Sequence, residues 1–181
     1  RDACVAAARR RSGHTAPPRG PRWGPVGGGG RRQGASTGRA ARCCRVLMRP
    51  GTPVAIAKRG MSKGDVLAVA RVAGIQAAKR TSDMIPLCHP LLVGAVTVNF
   101  EIGDDFVAIE AHVDTVDRTG VEMEALHACA LAALTVYDMC KSVDREMVIS
   151  DLALWEKTGG RSGTFRRSAS IAESVTNVVE P

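Results

Sequence analysis

The chain predicts an α+β fold, an antiparallel sheet with two helices packed on one face. Two stretches alternate between apolar and polar residues on either side of Gly103-Asp104-Asp105, which makes a hairpin. A run with apolar residues three and four apart precedes the hairpin, a longer alanine-rich run follows it, and a strand-like segment stands at each end. Strand, helix, strand, strand, helix, strand is the split βαβ order of a ferredoxin-like sandwich.

Arg45-Val46-Leu47-Met48 reads as the first strand, broken by Pro50-Gly51. Val54 to Arg59 makes a helical turn that Gly60 ends. Ser62 caps a helix over Lys63 to Lys79, with Val66, Val69, Ala70, Ala73 and Ala77 as its inward stripe. Pro86 and Pro90 bracket Leu87-Cys88-His89 in an ordered non-helical loop, because proline cannot continue a helix. The hairpin strands place Val96, Val98, Phe100 and Ile102, then Val107, Ile109, Ala111 and Val113, on the buried side. Thr119-Gly120-Val121-Glu122 has the spacing of a capping box at the start of a helix over Gly120 to Val143. The last strand spans Met147 to Trp155 with an irregularity at Ser150-Asp151, and it leads into Lys157-Thr158-Gly159-Gly160-Arg161-Ser162-Gly163.

At 181 residues the chain suits one domain with a sizeable core. Its net charge of +7 is unevenly placed: residues 1–49 hold twelve Arg against one acid, Asp2, which makes that segment +11 and the remainder −4. With Gly27-Gly28-Gly29-Gly30 and scattered Pro, the front has no periodic apolar face whose burial would offset its ordering entropy. Residues 1–43 therefore read as a disordered basic segment, 44–166 as the folded domain and 167–181 as a flexible tail. An Arg-rich, acid-poor front can be a transit peptide, but this one has few Ser, no amphipathic period and no initiating Met. A nucleic-acid-binding arm needs more stacking groups than Trp23, so a solvated tail is preferred and nucleic acid is not expected as a partner. No stretch approaches the roughly 20 apolar residues of a membrane helix. Cys4, Cys43, Cys44, Cys88, Cys129 and Cys140 include no CxxC pair, and the adjacent Cys43 and Cys44 cannot be joined to each other without strain. Reduced thiols and a cytoplasmic setting are expected.

The long apolar helix carries charge at both ends, and this is the main functional signal. Glu122 and Glu124 open it, and Asp138 and Lys141 close it. At a rise of 1.5 Å per residue Glu122 and Asp138 are about 24 Å apart, so one small molecule cannot use both from one copy. Two such helices crossing antiparallel near Ala130 in different subunits would bring Glu122 of one chain beside Asp138 of the other. Each residue also has a plain alternative. Glu122 can be the capping-box acid, Glu124 a favourable charge at a helix N-terminus, and Asp138 with Lys141 an exposed ion pair worth roughly a few tenths of a kcal/mol. Tyr137, Met139 and Cys140 argue instead for partial burial, where an Asp beside a Lys makes a proton-transfer couple.

His89 is either a general acid/base or substrate contact presented by its rigid loop, or a structural hydrogen-bonding histidine. No ligand spacing supports a metal there. His112 falls on a solvated strand face with Glu110 and Asp114, and His127 takes an exposed or interface position on the helix. Lys63, Lys79, Arg80, Lys157 and Arg161 supply cations, and the 157–163 stretch has the character of an anion cradle without the order of a P-loop.

Six motifs then stand in order: Lys63-Gly-Asp-Val, Gly74-Ile-Gln-Ala-Ala-Lys79, Ile85-Pro-Leu-Cys-His-Pro90, Thr119-Gly-Val-Glu-Met-Glu-Ala-Leu126, Tyr137-Asp-Met-Cys-Lys141 and Lys157-Thr-Gly-Gly-Arg-Ser-Gly163. Over about residues 44–166 the chain resembles the cyclic pyranopterin monophosphate synthase family, the molybdenum cofactor biosynthesis protein C family. The resemblance implies ferredoxin-like subunits in a hexamer, a trimer of dimers, with active sites between subunits. It implies a lyase of molybdenum cofactor (molybdopterin) biosynthesis that converts 3′,8-cyclo-7,8-dihydroguanosine 5′-triphosphate to cyclic pyranopterin monophosphate and releases diphosphate. By motif, Asp138 and Lys141 are the general acid/base pair, assisted by Lys63, Glu122 and His89. Leu87, Cys88, His89, Met123 and Glu124 match substrate-binding segments, with Lys79, Lys157 and Arg161 also contacting substrate. The resemblance implies no metal or redox cofactor, although Mg²⁺ can accompany the triphosphate. Residues 1–43 depart from the family's N-terminal segment, rich in a Val-Asp-Val and Lys/Thr/Arg pattern, that helps cover the site. Two other readings compete. A silent nucleotide-binding scaffold is opposed by the presence of Asp138, Lys141, Lys63 and His89, and a basic-arm nucleic-acid binder rests on residues 1–49 alone.

Overall fold

The computed structural model describes residues 38–116, 120–159 and 163–167. Its elements are β1 (Gly38–Leu47), α1 (Thr52–Ala57), α2 (Val66–Lys79), α3 (Thr81–Met84), β2 (Val93–Ile102), β3 (Phe106–Thr115), α4 (Glu122–Cys140), β4 (Val148–Thr158) and β5 (Phe165–Arg166). The strands form one sheet in the order β2-β3-β1-β4-β5, and every pairing is antiparallel. Apart from the two-residue β5, this is the arrangement the split βαβ pattern predicts. Helices α2 and α4 cover one face and share a core with Val46, Val98, Val107, Ile109 and Val113.

β1 begins at Gly38, so the expected boundary between 43 and 44 falls inside a strand, and residues 38–43 belong to the sheet. The expectations for residues 1–37 and 168–181 lie outside the described residues. Composition concealed this strand. In its first half the buried side chains are the small Ala40 and Cys43, and Arg39 and Arg45 find partners across the sheet. Arg39 Nε donates to Asp114 Oδ1 at 2.7 Å on the neighbouring β3. Arg45, buried at 6% exposure, donates through Nε to Asp151 Oδ2 at 2.7 Å and lies 5.9 Å from the Phe106 ring centroid. Asp151 has φ 59 where the register between β1 and β4 shifts, which is the irregularity expected at Ser150-Asp151. Cys44, Cys88, Cys129 and Cys140 carry free thiols, whereas Cys43 is disulfide-bonded, a correction to the fully reduced set.

Asp65, not Ser62, caps α2: its Oδ1 accepts from Ala68 N at 3.0 Å, and the helix starts three residues later than expected. α2 runs antiparallel to α4, with Lys63 near Asp138 and Thr81 near His127. Glycine sets their separation. A Cβ on Gly74 would stand 2.9 Å from the Ala128 carbonyl oxygen and 3.2 Å from Val98 Cγ2. That approach turns Val66, Ala70, Gly74, Ala77 and Ala78 inward and leaves Val69 46% exposed, which corrects the expected stripe. α4 meets it at Ala128 and Ala132, within a row of buried small residues that also includes Ala125, Cys129 and Ala133.

Beyond α4 the chain is held by Asp144, which is fully buried. Its carboxylate accepts from the backbone N–H groups of Arg49 at 2.7 Å and Glu146 at 3.1 Å, and from the Thr52 hydroxyl at 3.2 Å. Burial alone would raise its pKa, but these bonds prevail and hold it below the usual carboxylate range. The turn after β1 and the turn after α4 are thereby locked together, which steadies the end of α4 that bears Asp138.

Gly74→Val gains helix propensity, yet overpacking of the α2–α4 contact should lower stability by about 1–3 kcal/mol, read as a lower urea midpoint. An unchanged midpoint would contradict the close approach.

Candidate active site

Asp138 stands in the last turn of α4, with Lys141 three residues on and Lys63 reaching across from the loop before α2. Lys141 Nζ lies 2.8 Å from Asp138 Oδ1, and Lys63 Nζ lies 2.7 Å from Oδ2 and 3.1 Å from the Asp138 carbonyl oxygen. Each carboxylate oxygen therefore faces its own ammonium. A negative side chain at the negative end of a helix is unfavourable by itself, and the two lysines offset it. The side chains are about half exposed, Asp138 at 54% and Lys141 at 53%, which corrects the expected partial burial. Hydrogen bonds from Lys141 and then Lys63 hold the Asp138 carboxyl down at about 2, and Asp138 in turn raises Lys141. Asp138 thus stays ionised at neutral pH.

At the other end, α4 starts at Glu122 itself. Its N-cap is Val121, with no side-chain cap, so Glu122 is the first helical residue and not the third. Thr119 lies outside the described residues. Glu122 Oε1 pairs with Lys157 Nζ at 2.7 Å, the two side chains being 27% and 12% exposed. Lys157 comes from β4 opposite the core residue Ala40, on the side of the sheet that the helices cover. Glu124 is buried at 4% exposure. Burial pushes its carboxyl up, its own backbone N–H pulls it down, and the Glu122 charge adds to the rise. Burial also pushes the Cys88 thiol up, and the charge of Glu124 adds to the rise. On the proline-bracketed loop Leu87 and His89 are exposed, as is Met123 on α4.

Lys79 is exposed in the last turn of α2, whose antiparallel course carries it toward this same end. Arg161 lies outside the described residues. His127 is half-buried, its Nδ1 3.2 Å from Thr81 Oγ1, so it is a helix-to-helix contact rather than an exposed residue. His112, expected on a solvated strand face, is half-buried, with its Nε2 3.1 Å from Glu110 Oε2. Among the described residues no three His, Cys, Asp or Glu side chains form a metal-binding group, and no helix is long and apolar enough to cross a membrane.

Within one chain, then, Lys63 meets Asp138 and Lys141, and Lys157 meets Glu122, but the two groups stay at opposite ends of the 19-residue α4. They are about 24 Å apart along its axis. The Lys63–Asp138 and Lys157–Glu122 contacts join distant segments and have no signature in local spacing. Gly120, inside a motif read for its cap, was also missed.

The depressed pKa of Asp138 has a signed consequence. Its contribution to stability is present above its unfolded value of about 3.9 and is lost as pH falls through about 2. The Asp138 carboxyl carbon should show no NMR titration between pH 7 and about pH 4, and Lys141→Ala should move its midpoint up toward about 3.9. A midpoint insensitive to that substitution would refute the arrangement.

The MoaC family model matches residues 32–160. The match starts ahead of β1 and takes in part of the segment expected to depart from the family. Cyclic pyranopterin monophosphate synthase 3 of Mycobacterium tuberculosis (strain H37Rv) is 61% identical over 123 residues, covering 67% of this chain and 70% of that protein. Cyclic pyranopterin monophosphate synthase of Thermomicrobium roseum is 60% identical over 125 residues, 68% of this chain and 75% of its own. That of Heliobacterium modesticaldum is 56% identical over 125 residues, 68% and 79% of the two chains. On matches of this length and identity, the chain belongs to the MoaC family.

Proposed function

We propose that the chain is a cyclic pyranopterin monophosphate synthase of molybdenum cofactor biosynthesis. It converts 3′,8-cyclo-7,8-dihydroguanosine 5′-triphosphate to cyclic pyranopterin monophosphate and releases diphosphate. Family membership supports the reaction. The structural observation that carries it is the Lys63–Asp138–Lys141 cluster, two ammonium groups held on one carboxylate at the surface, facing solvent and able to receive a polyanion.

The reaction opens and recloses rings derived from guanine, after which a sugar oxygen attacks the α-phosphorus and diphosphate leaves. Protons must move at ring nitrogens and at the attacking oxygen, and negative charge builds on phosphate. Asp138, held near 2, serves as the anchor of the general acid/base pair, while Lys141 and Lys63 donate protons and neutralise charge. Glu124, raised by burial, is the carboxyl suited to carrying a proton, with Glu122 and His89 assisting at that end. Leu87, Cys88 and Met123 offer surface to the ring system, and Lys79, Lys157 and Arg161 neutralise the triphosphate. The reading calls for no cofactor of the protein's own, and Mg²⁺ can accompany the triphosphate.

The site is completed between subunits, because the two charged groups cannot approach each other along one rigid helix. The assembly is a homo-oligomer, a hexamer built as a trimer of dimers, working in the cytoplasm. Apolar side chains left exposed on the helices, among them Val69, Val72 and Leu134, support burial of these faces by other copies.

Incubation with the cyclised nucleotide should yield diphosphate and a pterin product. Lys141→Ala should slow turnover by at least about 10²-fold while the assembly elutes unchanged on size exclusion. Undiminished turnover in that variant would remove the cluster from the mechanism.

A further inference from the structure

We infer that Gly120 is a positioning residue for the Glu122–Lys157 pair. A Cβ built on Gly120 would collide with Glu122 Oε2 and stand 2.6 Å from both Glu122 Cδ and Oε1. The Glu122 carboxylate is folded back over the start of α4, into the volume that a side chain at position 120 would fill. From that slot its Oε1 reaches Lys157 Nζ at 2.7 Å. Backbone conformation does not explain the glycine, because Gly120 is outside the positive-φ glycines Gly51, Gly64, Gly159 and Gly163. What the position requires is the absence of a Cβ.

The obstacle to a larger residue is the far end of a flexible side chain, so alanine at 120 would leave the backbone in place and expel the carboxylate from its slot. Glu122 would then swing away from Lys157, whose side chain is 12% exposed and comes from a strand and not a mobile segment. The geometry of this coupling stands by itself. Its consequence for turnover rests on the placing of Glu122 in the active site.

A double-mutant cycle in the full chain tests it, using Gly120→Ala, Glu122→Ala and the two combined, with thermal midpoint and turnover of the cyclised nucleotide as separate readouts. Gly120→Ala should lower the midpoint by a few degrees and turnover on the order of 10- to 100-fold when Glu122 is present. It should change neither when Glu122 is already alanine, because the group it displaces is gone. Equal losses in both backgrounds would overturn the inference and assign Gly120 a purely backbone role. Should Gly120→Ala fail to fold, folding restored in the double variant supports the inference, and a double variant that also fails overturns it. If Glu122→Ala leaves turnover intact, the catalytic reading of Glu122 falls, and the thermal cycle alone decides the role of Gly120.

Discussion

Helix α4 is a rigid spacer, and the organisation of the site depends on it. Nineteen residues in one unbroken helix hold Glu122 and Asp138 at its two ends, and packing along its length prevents it from bending to bring them together. The glycine at position 74 lets α2 lie against the Ala128 carbonyl, alanine and cysteine line the buried face, and buried Asp144 ties down the chain where the helix stops. A flexible or interrupted helix could have folded both charged groups around one ligand. This one keeps the two charged groups at its opposite ends, and the proposed sharing of a site between subunits follows from that separation.

The two ends differ in electrostatic character as well as in position. Glu122 and Glu124 sit where the helix dipole favours negative charge, yet Glu124 is buried and its carboxyl is driven upward. Asp138 sits where the dipole disfavours negative charge, yet it is exposed and two ammonium groups drive it down to about 2. Two carboxylates on a single helix thus have their proton affinities pushed apart by opposite environments. One holds its proton more tightly than an ordinary carboxyl and the other less tightly.

Much of this was legible in the sequence, and the parts that were not have physical reasons. The hairpin was readable because Val96, Val98, Phe100 and Ile102 alternate with polar residues around a glycine turn. The early part of β1 was not, because Arg39 resembles part of a solvated tail until Asp114 is seen beside it. Ser62 and Asp65 are both sound caps, and only the backbone geometry chose Asp65. The charged residues at each end of α4 were visible, as was their separation. Their partners were not: Lys63 and Lys157 reach Asp138 and Glu122 through tertiary pairing that no local spacing encodes. The burial expected around Asp138 came from its apolar neighbours Met139 and Cys140, which do face the core while Asp138 projects away from it.

The most direct measurement mixes Glu122→Ala chains with Asp138→Asn chains after confirmed subunit exchange and follows diphosphate release. If Glu122 of one subunit serves the same site as Asp138 of another, every mixed dimer contains one intact site, and an equal mixture should recover about a quarter of wild-type activity. Activity no higher than that of the two variants apart would show that each chain builds its site alone.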